Sequence, residues 1–448
     1  MIVCPDMSLT GLLAEICRRR VNPADRARAA LHVLDWAGCA VAGSAADAGR
    51  VLAAWAAAQA AGPCRTLAAG RRDLATALVA NGALGNVLEM DDVHRAAILH
   101  PGPVVVPAAL ALAEREGTPA EALLDAVVRG YEAMIRVGEA VGPGHYRYWH
   151  NTSTCGPFGA AAAGASLLGL DAAGWRDAFG NAGTQAAGLW QVRHEPVMSK
   201  QLHNGRAAHA GVIAADLARR GFTGPASILE GPQGFFAAMC PGADARDVVR
   251  EPGGAWKIHA TSFKPWPACR HAHAAIDAAL AVRTRLGAAR VRRVAVRTYG
   301  DALAFCDRPA PRTVVEAKFS LQHSVAVALA DGPPPLAAFA PDAIERADLA
   351  ALRDQVAVEA AEPYASAYPR HYGAEVEVET DDGARIVAAV ADALGDPENP
   401  LDEGRLRAKA IALMRAAGLP ETRCAGIVAA CRALPAGGAV SALTDLLP

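Results

Sequence analysis

Five lysines, Lys200, Lys257, Lys264, Lys318 and Lys409, stand among 44 basic residues in a chain of 448, the other 39 being arginines. A guanidinium keeps its proton at any working pH, whereas a desolvated ammonium can give its proton up. In a chain so biased toward arginine, each lysine is therefore a candidate for proton chemistry. Ten of the 13 histidines fall between residues 94 and 273, which adds groups that titrate near neutrality. For any single one of them, neutral drift or core packing is the plain alternative.

Four segments gather these groups inside apolar surroundings. Leu88 to Pro103 carries Glu89, Asp91, Asp92, His94 and His100; Gly144 to Gly159 carries His145 and His150. Val192 to Arg206 carries Arg193, His194, Lys200, His203 and Arg206; Phe263 to His273 carries Lys264, Arg270, His271 and His273. Cationic clusters on a near-neutral chain point to a pocket for a substrate with several carboxylates. Taking a proton from carbon beside a carboxylate builds further negative charge, which cations must face. A histidine or a partly desolvated lysine is the base such a step needs.

Other readings of the same residues carry less. His203 and His209 could be packed or capping histidines, and Asp91 and Asp92 could cap a helix. His271 and His273 with Asp91 and Asp92 offer metal-binding donors, but no recognised metal spacing joins them. G-x-G-x-x-G after a strand, G-x-x-x-x-G-K-[ST], G-x-S-x-G and H-E-x-x-H are all missing. The expectation is an enzyme without metal or cofactor.

The elements that must hold these residues change character along the chain. Up to about residue 265 the sequence reads as helix after helix: Asn22-Pro23 opens one through Ala42, Thr118-Pro119-Ala120-Glu121 forms a capping box for one through about Val141, and Asp171 begins another. Gly156 to Gly169 (GPFGAAAAGASLLG) spaces small residues for close helix approach. After Pro265, period-two alternation at Arg292 to Tyr299 and Ala374 to Thr380, then Asp381-Asp382-Gly383 before Arg385 to Val390, reads as strands and a hairpin. Helices over Cys269 to Leu286 and Ser320 to Asp331 separate them. Gly395 to Pro400 reads as a linker, and Asp402 to Ala417 and Glu421 to Leu434 as helices returning to the first domain.

The expected fold is mainly α: a large all-helical domain (1–265), an inserted smaller α+β domain (266–395) and C-terminal helices (396–448). Apolar residues at 52% and charged residues at 20% describe a chain that folds. A formal net charge of −2, with no long run of one sign, argues against nucleic acid or an anionic membrane as partner. Ten cysteines contain no C-x-x-C. The opening MIVCPDMSLTGLLAEICRRR shows no export signal, and the apolar stretches are too short to cross a bilayer, so a cytoplasmic protein is expected.

Several long segments in order, ANGALGNVLEMDDVHRAAILHPG, YRYWHNTSTCGPFGAAAAGASLLGL, SKQLHNGRAAHAGVIAADLARRGFTGPASILEG, FKPWPACRHAHAAIDAAL and EAKFSLQHSVAVALADG, resemble the MmgE/PrpD family over nearly the whole chain. That family includes 2-methylcitrate dehydratase, cis-aconitate decarboxylase and iminodisuccinate epimerase. The resemblance implies a helical domain from both chain ends, an α+β lid between, a homodimer and a small polycarboxylate substrate. It places His150, Lys200, Lys264 and His100 in catalysis. Asp91, Asp92 and Glu89 are expected at the substrate, with Arg193, His203 and His323 beside them.

The sequence departs from that pattern at Glu89 and Val93, where many relatives have aspartate and threonine. It departs again at His323, where decarboxylase-like members place a tyrosine in S-x-x-Y. The expected activity is a hydratase or dehydratase. Epimerisation of an iminodisuccinate-like acid, decarboxylation of a cis-aconitate-like acid, and an inactive carboxylate-binding homologue are the alternatives.

Overall fold

A computed structural model describes residues 8–195 and 197–448; Cys4 and the opening heptapeptide lie outside them. The chain divides into two compact units, residues up to Thr261 together with Asp402–Pro448, and Ser262–Leu401.

The first unit is helical. Pro23–Ala45 begins with a complete capping box, Asn22 accepting from Ala24 and Asp25 while the Asp25 carboxylate accepts from Asn22 N–H. At its centre helix 151–167 packs against Ala120–Ala140 on one side and Ser199–Arg219 on the other, through the small residues noted in the sequence. A Cβ added at Gly156 would meet Ala207 Cβ at 2.7 Å, and one at Gly211 would meet Pro157 O at 2.3 Å, so only small residues permit this separation. Leu74–Leu84 crosses Ser199–Arg219 the same way at Gly82 and Gly205. Trp36, Trp175, Tyr131, Phe158 and Phe179 are fully buried in this core, each contributing about 1.5–3 kcal/mol.

Three features of this unit differ from the expectation. Helix Asn151–Leu167 starts five residues earlier than Gly156, so His150 becomes its N-cap residue. Thr118 does not cap Ala120–Ala140: its amide instead closes the preceding helix onto Ala113 O, and Pro119 takes the cap position without a side-chain bond. Ala61–Thr66 and Gly70–Arg72 pair as an antiparallel hairpin, which the sequence hides because Gly62, Pro63 and a bulge between Ala61 and Cys64 break the alternation. No single helix among the described residues is long and apolar enough to cross a membrane.

The second unit holds a four-stranded mixed sheet in the order Val356–Ala360, Val291–Thr298, Ala374–Thr380, Arg385–Val390; the first pair is parallel and the others antiparallel. Val294, Val296, Val376 and Val378 face the core, together with helices His273–Leu286 and Leu321–Ala330. On the other face Arg297 bonds Glu359, Glu375 and Glu377, the alternation that made these strands legible. Gly395 to Pro400 is a packed turn and no loose linker. Gly395 lies so close that an added Cβ would come within 1.9 Å of Phe263 O, and buried Asp396 accepts from Ser262 Oγ and pairs with Arg270.

The nine described cysteines are all buried and no disulfide joins them. His273 gives both ring nitrogens to Arg270 and Ala268 O, which removes it from the metal set considered above.

Candidate active site

The first unit concentrates its buried charge where four elements meet. The Leu74–Leu84 helix ends in the loop 85–101, and that loop carries Glu89 in the left-handed region at φ 58°. A non-glycine residue there costs roughly 1 kcal/mol, so the surroundings must hold it. The conformation turns Glu89 toward helix Ser199–Arg219, where its Oε1 pairs with Lys200 Nζ. Two residues on, Asp91 accepts from Asn86 Nδ2 at 2.7 Å and faces His100 Nδ1 at 2.9 Å.

His100 Nδ1 also lies 3.0 Å from Asp92 O. With two acceptors before it, Nδ1 carries the hydrogen and Nε2 keeps its lone pair. The HPG turn that follows brings Gly102 N within 2.8 Å of Asp92 Oδ1, so Asp92 does cap a helix, Gly102–Glu116. Its second oxygen takes Tyr131 OH at 2.6 Å and His32 Nδ1 at 2.5 Å. Burial pushes His32 down to about 4, against the pull of Asp92, so His32 is a neutral Nδ1–H donor. His32 and Tyr131 were not among the sequence candidates. They sit inside apolar helices, and nothing in their spacing marks them.

The WHNTS segment supplies the opposite wall. Asn151 Nδ2 donates to Ala97 O and Thr152 Oγ1 accepts from His100 N, at 2.9 and 3.0 Å, tying the start of helix Asn151–Leu167 to the 85–101 loop. His150, held by its N–H to Gly188 O at 2.9 Å, packs its ring against Trp190 and places Nδ1 3.1 Å from His203 Nδ1. Burial, then the positive charge of Lys200, holds His150 well below its ordinary range, and the same causes lower His203. A neutral imidazole at pH 7 is a base. The i, i+3 spacing of Lys200 and His203 puts ammonium and imidazole on one side of their helix.

Glu89, Asp91, Asp92, His100, His150, Lys200 and His203 therefore come together within this unit. Arg193 is near them in sequence but spends its guanidinium over the Trp190 and Tyr146 rings, 5.3 and 5.9 Å from their centroids. Lys264 and His323 belong to the second unit, where both are buried. His323 commits Nε2 to Ala338 O at 2.8 Å and Nδ1 to Arg353 at 3.1 Å, contacts that fix it in that unit's core. His145 is likewise used in packing, between Thr154 Oγ1 and Met239 O.

Family models describe the chain as an MmgE/PrpD N-terminal domain over residues 8–247 and an MmgE/PrpD C-terminal domain over residues 266–432. Among named proteins it is similar to the cis-aconitate decarboxylase of Aspergillus terreus, 28% identical with 89% of this chain and 88% of that protein covered. It is also similar to the human cis-aconitate decarboxylase, at 27% with 73% and 70% covered. A cis-aconitate decarboxylase-like protein of Aspergillus oryzae is 34% identical over 39% of this chain and 38% of its own length. With both domain models matching in order and together covering most of its length, the chain belongs to the MmgE/PrpD family.

Proposed function

We propose that this protein is a cofactor-independent lyase that hydrates or dehydrates a small di- or tricarboxylate, moving a proton at the carbon next to a carboxylate. The observation that carries the reading is the pairing of a buried neutral His150 with His203 at 3.1 Å, beside the Lys200 and Glu89 ion pair. The imidazole pair is a base that needs no metal to be ready at pH 7. Lys200 supplies positive charge for the carboxylates and for the charge that builds as the proton leaves, while His100 Nε2, with its lone pair, accepts a hydrogen bond from a hydroxyl or a protonated oxygen of the substrate. Glu89 and Asp91 orient these two groups. General acid–base help contributes about 10² to 10⁴-fold.

A second reading, decarboxylation, is favoured by the names of the relatives from Aspergillus terreus and human. The same residues would then deliver a proton to carbon as carbon dioxide departs. Against it stands His323, whose ring nitrogens are both occupied where decarboxylase-like members carry a tyrosine.

Proton NMR in deuterated water, with cis-aconitate, citrate and other di- and tricarboxylates, separates the readings. Interconversion of an alkene and a hydroxy acid supports hydration chemistry. Loss of carbon dioxide supports the second reading, and hydrogen exchange without an alkene makes the protein an epimerase. No turnover of any acid contradicts all three and leaves a carboxylate-binding protein.

A further inference from the structure

Lys409 is the one lysine of the five that lies in the C-terminal helices, and neither the proton step nor substrate binding uses it. It projects from Glu403–Ala416 into the first unit's core, where its side chain is almost fully buried. There its ammonium donates to Asp35 Oδ1 at 2.6 Å and to Met90 O at 2.6 Å. Met90 is the residue between Glu89 and Asp91, so the carbonyl that Lys409 grips belongs to the peptide joining the two site carboxylates.

A buried ammonium aimed at a main-chain carbonyl is an expensive way to stabilise a loop. Desolvating the charge costs several kcal/mol before Asp35 offsets it, and an apolar pair of the same volume is often as stable. Stability alone therefore does not account for it. What the contact does supply is direction. Glu89 sits at φ 58°, a conformation its own side chain opposes, and an ionic grip on the next carbonyl keeps the peptide plane from relaxing. Burial pushes Asp35 up to about 6 while Lys409 opposes this. Burial also pulls Lys409 down, and the Asp35 charge outweighs it, so the ammonium stays charged.

We propose that Lys409, anchored by Asp35, is a positioning residue: it fixes the Met90 carbonyl and thereby holds Glu89 against Lys200 and Asp91 against His100. The inference rests on reading those four residues as the active site. It assigns the C-terminal helices a part in that site which their sequence, apart from the lysine, does not suggest.

The test compares the full-length protein with Lys409→Met and with Lys409→Met/Asp35→Leu, the second of which leaves no lone buried charge. Hydrogen exchange by mass spectrometry is expected to quicken about ten-fold or more in residues 86–100 of the double variant, while 120–140 and 151–167 keep their protection. With the best acid from the NMR panel, kcat is expected to fall about ten-fold and KM to change less than about three-fold. Unchanged exchange in 86–100, exchange quickened equally in all three segments, or quickened loop exchange with unchanged kcat each overturns the proposal. If the wild-type protein turns over none of the acids, the functional reading fails by itself, and the exchange pattern still decides whether Lys409 holds the loop.

Discussion

His150 Nδ1 and His203 Nδ1 stand 3.1 Å apart, and two imidazole nitrogens in contact share a single hydrogen. One ring donates and keeps a lone pair on its Nε2; the other accepts and carries its hydrogen on Nε2. The pair therefore presents one basic and one hydrogen-bearing nitrogen without either ring being charged. Replacing His203 by Phe removes the partner that fixes the tautomer of His150. Steady-state kinetics should then show kcat lowered about 10²-fold with KM little changed, and His203→Gln, which can still donate or accept, should recover part of the loss. Equal kinetics for His203→Phe and wild type would remove His203 from the proton step.

Glu89→Gly separates function from fold at the strained position. Glycine accepts φ 58° without penalty, which offsets the loss of a partly exposed ion pair with Lys200. The melting temperature should stay within about 4 °C of wild type, while kcat/KM falls about 10²-fold as Lys200 loses its carboxylate. A large drop in melting temperature with activity preserved would make Glu89 a structural residue.

Gly102 can be only glycine because Asp92 leans on it: an added Cβ would lie 2.6 Å from Asp92 Oδ1. Gly102→Ala must push Asp92 off Tyr131 and His32. Urea denaturation should report a loss of roughly 1–3 kcal/mol. An unchanged midpoint would mean that the Asp92 network tolerates displacement.

Acid should destabilise the protein well above the carboxylate range. Burial depresses His32 to about 4 and His94 to about 3, the latter helped by Lys257 and Arg95. Because both folded values lie below the unfolded one, the unfolded chain takes up protons first. Stability is then complete above about pH 6.5 and falls as the pH drops toward the folded values. At pH 5 each histidine accounts for roughly 2 kcal/mol. Thermal melts between pH 8 and 5 check this, and His94→Gln should flatten the slope. A melting temperature independent of pH between 7 and 5 contradicts it.

The legible parts of the sequence were those where pattern and physics coincide locally. Ala374 to Thr380 and its hairpin could be read because one face is apolar and the other carries paired charges. Lys200 and His150 could be singled out as candidates because their residue types are scarce or clustered, and the family resemblance pointed to the same positions. His32, Tyr131, Asp35 and the role of Lys409 could not. Each acts through a partner 39 to 374 residues away in the chain, a distance no window of spacing covers, and three of them sit in helices whose apolar periodicity conceals a polar group. The strand Val356–Ala360 was missed for a related reason: it pairs in parallel with a strand that precedes it by more than 50 residues, so no turn signal announces it.

The central claim is that His150 and Lys200 act at the carbon beside a carboxylate. It is tested most directly by counting deuterium taken from solvent into the product of the best substrate, for wild type, His150→Gln and Lys200→Met. The account predicts one deuterium per turnover at that carbon in the hydration direction for wild type, and at least about 10²-fold slower incorporation in each variant. Incorporation at the wild-type rate in both variants would contradict it.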